Sequence, residues 1–359
     1  MSICYFDFET RSPTPISQGL DNYSAKAEAM LLSWCVDDGP PQLWDIMRDP
    51  KMPAAFEAVL ADPECILIAH NCQFDMTILQ RCLGRYVDLR RFRCTAAQAR
   101  AHALPASLEM VGIALGLSEE ERKLSDGKAL IQLFCVPRDY TPNGSPLWND
   151  RHSHPAEWLK FSEYAIQDTA TLRTIHRKLP SHNYQGDHLR MWHLDQLINT
   201  RGFGFDDELA IAARKILTDG KAVQDRQAYW STDGAVSAPT QRAKLLAWFN
   251  TCGLEIPDLK AATIREHLEA DDLRPEIRFM LELRLEAAKS SGSKYTRGLT
   301  MVGAGKRIRH ALQYGGAGRT GRFSGKGFQP HNCPRAKVKF LQVEQEIAAL
   351  KGGYLDLLT

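Results

Sequence analysis

The chain has 359 residues, a formal net charge of +2 and an apolar fraction of 44%. These values exclude a disordered polar tail, and the length favours two domains of roughly 100 to 200 residues each. No apolar run approaches the ~20 residues that cross a bilayer, so no membrane partner is expected. The nine cysteines are scattered without zinc-ligand spacing or a preceding secretory signal. We therefore expect reduced thiols and a cytoplasmic protein.

The first half of the chain combines strand and helix patterns. Strand patterns cover 2–10, 30–36, 41–47 and 65–69, and helical spacing covers 54–60, 75–83, 95–103, 108–115 and 155–178. The segment 118–149 is rich in charge, glycine and proline and is predicted to be mostly irregular. This order predicts an α/β fold with a mixed central sheet flanked by helices and a boundary near 180–184.

The second half of the chain is mostly helical in pattern and then becomes basic. Helical spacing covers 186–199, 207–218, 224–229, 240–252, 262–269 and 275–290. Residues 309–314 are predicted to be extended, and the glycine-rich stretch 315–327 is predicted to be a loop. From 287 to 343 there is no acidic residue, while lysine and arginine recur. That composition predicts binding to a polyanion.

A set of carboxylates in the first half has the spacing of a metal site. Asp7 and Glu9 are two apart on a strand and so share one face of the sheet. Tyr164 and Asp168 are four apart on a helix and lie side by side, and Asp75 follows a separate strand. Hydrolysis of a phosphodiester by two Mg²⁺ or Mn²⁺ ions needs such carboxylates to converge. A phenol with a pKa near 10 is a poor base, so Tyr164 is expected to orient a water rather than deprotonate it.

Three short segments carry a family resemblance: 7–10 (Asp-Phe-Glu-Thr), 71–75 (Asn-Cys-Gln-Phe-Asp) and 164–168 (Tyr-Ala-Ile-Gln-Asp). They resemble the three exonuclease motifs of the DEDD superfamily in its tyrosine subclass. The resemblance implies a ribonuclease H-like domain over 1–180 that hydrolyses DNA from the 3′ end.

The same resemblance implies a role for each residue of the motifs. Asp7 would bridge two divalent ions, Glu9 and Asp168 would complete the tighter site, and Asp75 would serve the second ion, directly or through water. Tyr164 would lie beside the attacking water. The residues implied to hold the 3′-terminal nucleotide are Thr10, Asn71 and Phe74.

The second half resembles phage-type family A DNA polymerases in four stretches: 192–206, 286–295, 318–325 with its continuation to 335, and 353–358. The resemblance implies that 186–359 is a partial polymerase region, with thumb-like helices and the start of a palm. Arg319, Arg322 and Lys326 of the basic loop would contact DNA. The family's polymerase catalytic motifs do not occur, so nucleotide addition is not expected from this chain alone.

Three functions remain open at this point. The first is an active proofreading exonuclease that acts on single-stranded 3′ ends and primer-template DNA. The second is a non-catalytic DNA-binding or assembly half of a split polymerase, which would work with a separate palm and fingers chain. The third is an RNA 3′–5′ exonuclease, because the same carboxylates serve both sugars.

Overall fold

Five strands form the central sheet of the chain. The computed structural model describes residues 2–121, 127–288, 292–333 and 340–353. The strands are β1 (Ile3–Arg11), β2 (Glu28–Val36), β3 (Gln42–Asp45), β4 (Ile66–Ala69) and β5 (Phe92–Cys94). They lie in the order β3-β2-β1-β4-β5, with β1 antiparallel to β2 and parallel to β4. The predicted α/β fold with a mixed sheet is therefore confirmed.

Among the described residues up to 178, seven α-helices accompany this sheet. They are α1 (Leu20–Ser24), α2 (Ala54–Ala61), α3 (Gln73–Leu83), α4 (Thr95–Ala101), α5 (Leu108–Ala114), α6 (Gly127–Cys135) and α7 (Pro155–Lys178). Both faces of β1 are covered, because successive side chains of a strand point to opposite faces. Phe6 packs in one apolar cluster with Leu79 of α3, whereas Tyr5 packs in another with Leu172 of α7.

The described residues after α7 contain seven more helices, and short strands occur both before and after α7. The helices are α8 (Gly186–Arg201), α9 (Asp207–Ser231), α10 (Arg242–Thr251), α11 (Ala261–Leu268), α12 (Pro275–Ala287), α13 (Ser293–Met301) and α14 (Phe340–Gly352). The short strands are β6 (Asp139–Tyr140), β7 (Pro146–Leu147), β8 (Phe203–Gly204), β9 (Arg307–Ile308), β10 (Leu312–Ala317) and β11 (Arg322–Gly325). Strands β10 and β11 form an antiparallel hairpin.

The chain divides by packing into two compact units. The first comprises Met1–Phe205 and Thr300–His331, so it holds the central sheet and the β10–β11 hairpin. The second comprises Asp206–Leu299 and Asn332–Thr359 and has its own core, in which Phe249, Met280 and Leu281 are fully buried. The assignment of 1–180 and 186–359 to two functional domains stays a prediction.

The structure corrects three predictions of secondary structure. The segment 118–149 contains α6 and the β6–β7 hairpin, because Leu130 and Phe134 of α6 pack into a core cluster with α7. The stretch 315–327 is not a loop, since most of it belongs to the β10–β11 hairpin. The two helices predicted at 207–218 and 224–229 are one helix, α9, which tolerates Gly220 in its interior.

Several expectations concern residues outside the described part of the chain. The resemblance at 354–358, the positions 334 and 335, and the predicted helix end at 289–290 lie outside the part of the chain that the structure describes. Within that part, no helix combines the length and the apolar character that a membrane span requires.

Candidate active site

Strand β1 places Asp7 and Glu9 on the face of the sheet that α7 covers. Tyr5, two residues earlier on the same face, packs with Leu172 of α7. The pairing of β1 with β2 shifts register between Glu9 and Thr10. Such bulges bend a strand locally and redirect its side chains, and they are frequent next to active sites.

Helix α7 brings Asp168 to these two acids. One carboxylate oxygen from each of Asp7, Glu9 and Asp168 lies within 4.8 Å of the others. Glu9 and Asp168 are buried, with 7% and 5% of their surface exposed. Three carboxylates at this separation in a poorly hydrated place repel one another, and a divalent cation relieves that repulsion. An all-oxygen, all-anionic donor set fits Mg²⁺ or Mn²⁺.

Asp75 lies on α3 and contacts the C-terminal end of β1, which carries Asp7 and Glu9. The pairing of β4 with β1 runs only to Tyr5, so the edge of β1 beyond it is open to α3. Asp75, on the first turn of α3, is 1% exposed, and its Oδ1 accepts a hydrogen bond of 3.2 Å from the Phe8 amide. Burial and the negative charge of Asp7 raise the pKa of Asp75, against the lowering effect of that amide. The charge of Asp7 therefore acts on Asp75, but Asp75 is not part of the group formed by Asp7, Glu9 and Asp168.

Tyr164 lies one helical turn before Asp168 and is almost fully buried. Its ring is parallel to that of Phe161, with 6.2 Å between the centroids. Burial, and then the negative charges of Asp168, Glu9 and Asp7, raise its pKa above the usual value. The phenol is therefore a hydrogen-bond donor at neutral pH and not a base.

A cleft of about 560 Å³ opens beside these acids, which is within the roughly 300–1,000 Å³ typical of ligand sites. Glu9, Thr10 and Phe74 contribute to its wall. The Thr10 hydroxyl is 2.7 Å from the hydroxyl of Tyr23, and the ring of Tyr23 lies 5.9 Å from that of Phe74. The remaining wall is largely apolar and comes from 12–16 and from the end of α6 with the residues that follow it.

Asn71 is placed apart from this cleft. Its backbone is left-handed, with φ of 60°, and its side chain is exposed. It lines a separate small cavity with Arg100 and Lys326. The structure therefore brings Thr10 and Phe74 together beside the acids and leaves Asn71 outside that group.

Of the residues in the cleft wall, the sequence identified only Glu9, Thr10 and Phe74, and it missed Tyr23 and also Ile131 and Tyr140. Ile131 and Tyr140 both fall in the segment that was predicted to be irregular. The available signal was the helical spacing of Leu130, Ile131 and Phe134, which the surrounding glycines, prolines and charges obscured.

The predicted basic residues lie on or just after the β10–β11 hairpin. Arg319 is in its turn and Arg322 is in β11, and both are exposed. Lys326 follows β11, and its amide donates a hydrogen bond of 2.8 Å to the carbonyl of Ala311. Desolvation and the nearby charge of Arg100 lower the pKa of the Lys326 ammonium. All three cations belong to the compact unit that also holds the acids.

Comparisons with known proteins identify the type of domain that contains these residues. A family model for 3′–5′ exonucleases matches residues 17–182, a range that includes Asp75, Tyr164 and Asp168 but begins after Asp7 and Glu9. The chain is 31% identical over 335 residues to a protein named DNA polymerase from Bacillus phage SP02, covering 92% of the chain and 50% of that protein. The chain thus spans about half the length of this curated relative.

Solved structures add a likeness of fold. The polymerase domain of Pol1 from M. smegmatis, solved with a DNA primer-template and dNTP, matches with a TM-score of 0.56 and 15% identity, over 92% of this chain and 53% of that one. NrnC from Brucella melitensis matches with a TM-score of 0.36 and 14% identity, over 55% of this chain and 80% of that one, which is too weak to carry an argument. Residues 17–182 therefore carry a 3′–5′ exonuclease domain, and the chain is similar to a phage DNA polymerase over 92% of its length.

Proposed function

We propose that this chain is a proofreading-type exonuclease that removes nucleotides from DNA 3′ ends with two divalent ions. The observation that carries the proposal is the convergence of Asp7, Glu9 and Asp168 within 4.8 Å. These three residues would hold one ion. Asp7 would also bind the second ion, together with Asp75. Bound ions would supply positive charge to the scissile phosphate and lower the pKa of the attacking water.

Tyr164 assists by hydrogen bonding. Because burial raises the pKa of a phenol whose ordinary value is already near 10, the side chain does not accept the proton of the water at neutral pH. The neutral hydroxyl instead orients the water beside Asp168. Fixing the angle of attack in this way lowers the barrier without any change in the charge of the side chain.

The cleft beside the acids is the proposed place for the 3′-terminal nucleotide. Phe74 and Tyr23 present aromatic surface in its wall, and stacking on such rings binds bases with little dependence on sequence. Thr10 adds a hydroxyl close to Glu9. A cleft of this kind suits a proofreading enzyme, which has to remove any of the four nucleotides.

DNA is the preferred substrate because the relative that matches 92% of the chain is named a DNA polymerase. A second candidate function rests on the exposed Arg319 and Arg322 of the hairpin. These residues suit a chain that holds primer-template DNA for a separate polymerase chain. An RNA exonuclease is the third candidate, and the experiment below separates all three.

The test compares two single-stranded oligonucleotides of one sequence, DNA and RNA, each labelled at its 5′ end. With Mg²⁺ or Mn²⁺, the DNA should shorten one nucleotide at a time from its 3′ end, and chelation of the metal should stop the reaction. Asp7→Ala should reduce turnover at least about a hundredfold, because it removes the ligand shared by both ions.

Asp187→Ala is the matched control, since the Asp187 side chain is 87% exposed on α8 and its loss should leave turnover unchanged. Binding without cleavage by the wild-type protein would favour the DNA-holding function. Faster cleavage of RNA than of DNA would favour the RNA exonuclease. Turnover by Asp7→Ala above about a hundredth of the wild-type rate would contradict the metal assignment.

A further inference from the structure

The first residue of α6, Gly127, lies directly against the ring of Tyr164. A Cβ added at Gly127 would overlap Cε2 of the ring and would come within 2.8 Å of Cζ and 3.0 Å of Cδ2. Side chains do not approach one another so closely. The absence of a side chain at 127 is what lets α6 and the phenol occupy adjacent space.

The backbone at this position does not itself require glycine. Gly127 is not among the glycines of positive φ, so an alanine could adopt the same conformation. Glycine is also a poorer helix former than alanine. The steric fit against Tyr164 is therefore the physical reason for a glycine at the start of this helix.

Tyr164 has little room to move away from α6. One face of its ring lies parallel to Phe161. Phe161 is in turn stacked on Phe134 of α6, with 5.3 Å between the ring centroids. Because α6 is held by Phe134 and the ring is held by Phe161, any added volume between them has to displace the phenol or the helix.

We propose that Gly127 is a positioning residue for catalysis, which sets where the Tyr164 hydroxyl lies relative to Asp168 and the attacking water. This inference rests on the proposed exonuclease function. It extends the active site to a residue that has no side chain to bind metal and that does not line the cleft. Its effect should therefore fall on kcat rather than on KM.

The test is a double-mutant cycle of Gly127→Ala and Tyr164→Phe, assayed on single-stranded DNA with Mg²⁺. Tyr164→Phe keeps the ring and removes the hydroxyl. Gly127→Ala alone should lower kcat at least roughly tenfold with KM within about twofold of wild type. Added to Tyr164→Phe, it should change kcat by less than about twofold, because no hydroxyl remains to be misplaced.

Gly220→Ala is the control, because Gly220 also lies in a helix and a Cβ there meets nothing within 4 Å. It should leave kcat unchanged. Wild-type kcat in Gly127→Ala, or equal losses in both backgrounds of the cycle, would overturn the positioning role. An inactive wild-type protein would instead refute the proposed function, so the two failures are distinguishable.

A variant that fails to fold would still be informative. If Gly127→Ala lowers the Tm too far for assay, the Tm of Tyr164→Ala should not fall further when Gly127→Ala is added, because the shortened side chain vacates the space that the new Cβ needs. The same loss of Tm from Gly127→Ala in the wild-type and Tyr164→Ala backgrounds would show that Gly127 does not act through Tyr164, and would overturn the inference.

Discussion

His310 is a buried histidine whose surroundings favour its neutral form. It is 6% exposed, and burial lowers its pKa from 6.5 to about 4. The charges of Arg81, Arg309 and Lys326 also lower its pKa, whereas that of Asp21 raises it. In the unfolded chain the same imidazole titrates near 6.5, so the unfolded state binds more protons between these two pH values. Its contribution to stability is present above pH 6.5 and is lost as the pH falls towards 4.

We predict that His310→Asn will flatten the loss of stability in this window. The difference between the pH dependences of wild type and variant should amount to on the order of 3 kcal/mol. Asparagine suits the position because φ of His310 is 56°, a left-handed conformation that asparagine tolerates. Chemical unfolding at several pH values measures the effect. Exposed His182→Asn is the control, and an unchanged curve for His310→Asn would contradict the prediction.

At the scale of residues, the motifs identify the acids because their spacing is a local property of strands and helices. Asp7 and Glu9 must share a face of β1, and Tyr164 must lie beside Asp168 on α7. The contact of Gly127 with Tyr164 has no such signature, since it joins two helices across about forty positions of sequence. Only packing reveals it.

At the scale of elements, the side chain of Asn199 on α8 is hydrogen-bonded to β10 of the β10–β11 hairpin. Asn199 is fully buried, its Oδ1 accepts a hydrogen bond of 2.9 Å from the Leu312 amide, and its Nδ2 donates one of 3.1 Å to the Leu312 carbonyl. The backbone carbonyl of Asn199 also accepts a hydrogen bond of 3.0 Å from the amide of His310. The Asn199 side chain thus replaces a neighbouring strand at this point of β10.

Asn199→Ala should therefore loosen the hairpin without disturbing the acids. It leaves two polar backbone groups of Leu312 unsatisfied, at a cost of about 1–3 kcal/mol. Hydrogen exchange at β10 should become faster, while cleavage of a short single strand should stay within about twofold of wild type. Leu197→Ala on α8, where the side chain is 58% exposed, is the control. Unchanged exchange in Asn199→Ala would show that the hairpin is held by other contacts.

The elements that the sequence predicts best are the long ones with a single clear period, such as β1 and α7. Those that it misses depend on partners distant in sequence. β10 was predicted to be extended only as far as 314, because the glycines that follow are typical of loops. Pairing with β11 and the hydrogen bonds of Asn199 outweigh that local preference. Strand β5 was missed because it has three residues, too few to show a period.

At the scale of the whole molecule, the distribution of positive charge bears on how DNA is held. Arg319, Arg322 and Lys326 belong by packing to the unit that holds the acids, although in sequence they lie in the polymerase-like half. The two arginines are exposed on the hairpin, and Lys326, which is also exposed, lines a cavity with Asn71 and Arg100. We expect the arginines to contact phosphates directly and the lysine to do so where the DNA passes that cavity.

Changing all three cations to alanine should weaken primer-template binding and reduce the slope of log affinity against log salt. Each lost phosphate contact lowers that slope by roughly 0.9. The slope should therefore fall by up to about three in the triple variant, and by about two in the double variant Arg319→Ala/Arg322→Ala. Cleavage of a short single-stranded oligonucleotide should change little, because that substrate reaches the cleft beside Glu9 without the hairpin. Binding titrations at several salt concentrations, run beside the cleavage assay, measure both effects.

A triple variant of the exposed Lys26, Arg48 and Lys51 removes the same net charge from other surfaces and should lower the slope by much less. Equal slopes for the two triple variants would mean that only net charge matters, and an unchanged slope with impaired single-strand cleavage would assign these residues to the exonuclease cleft instead.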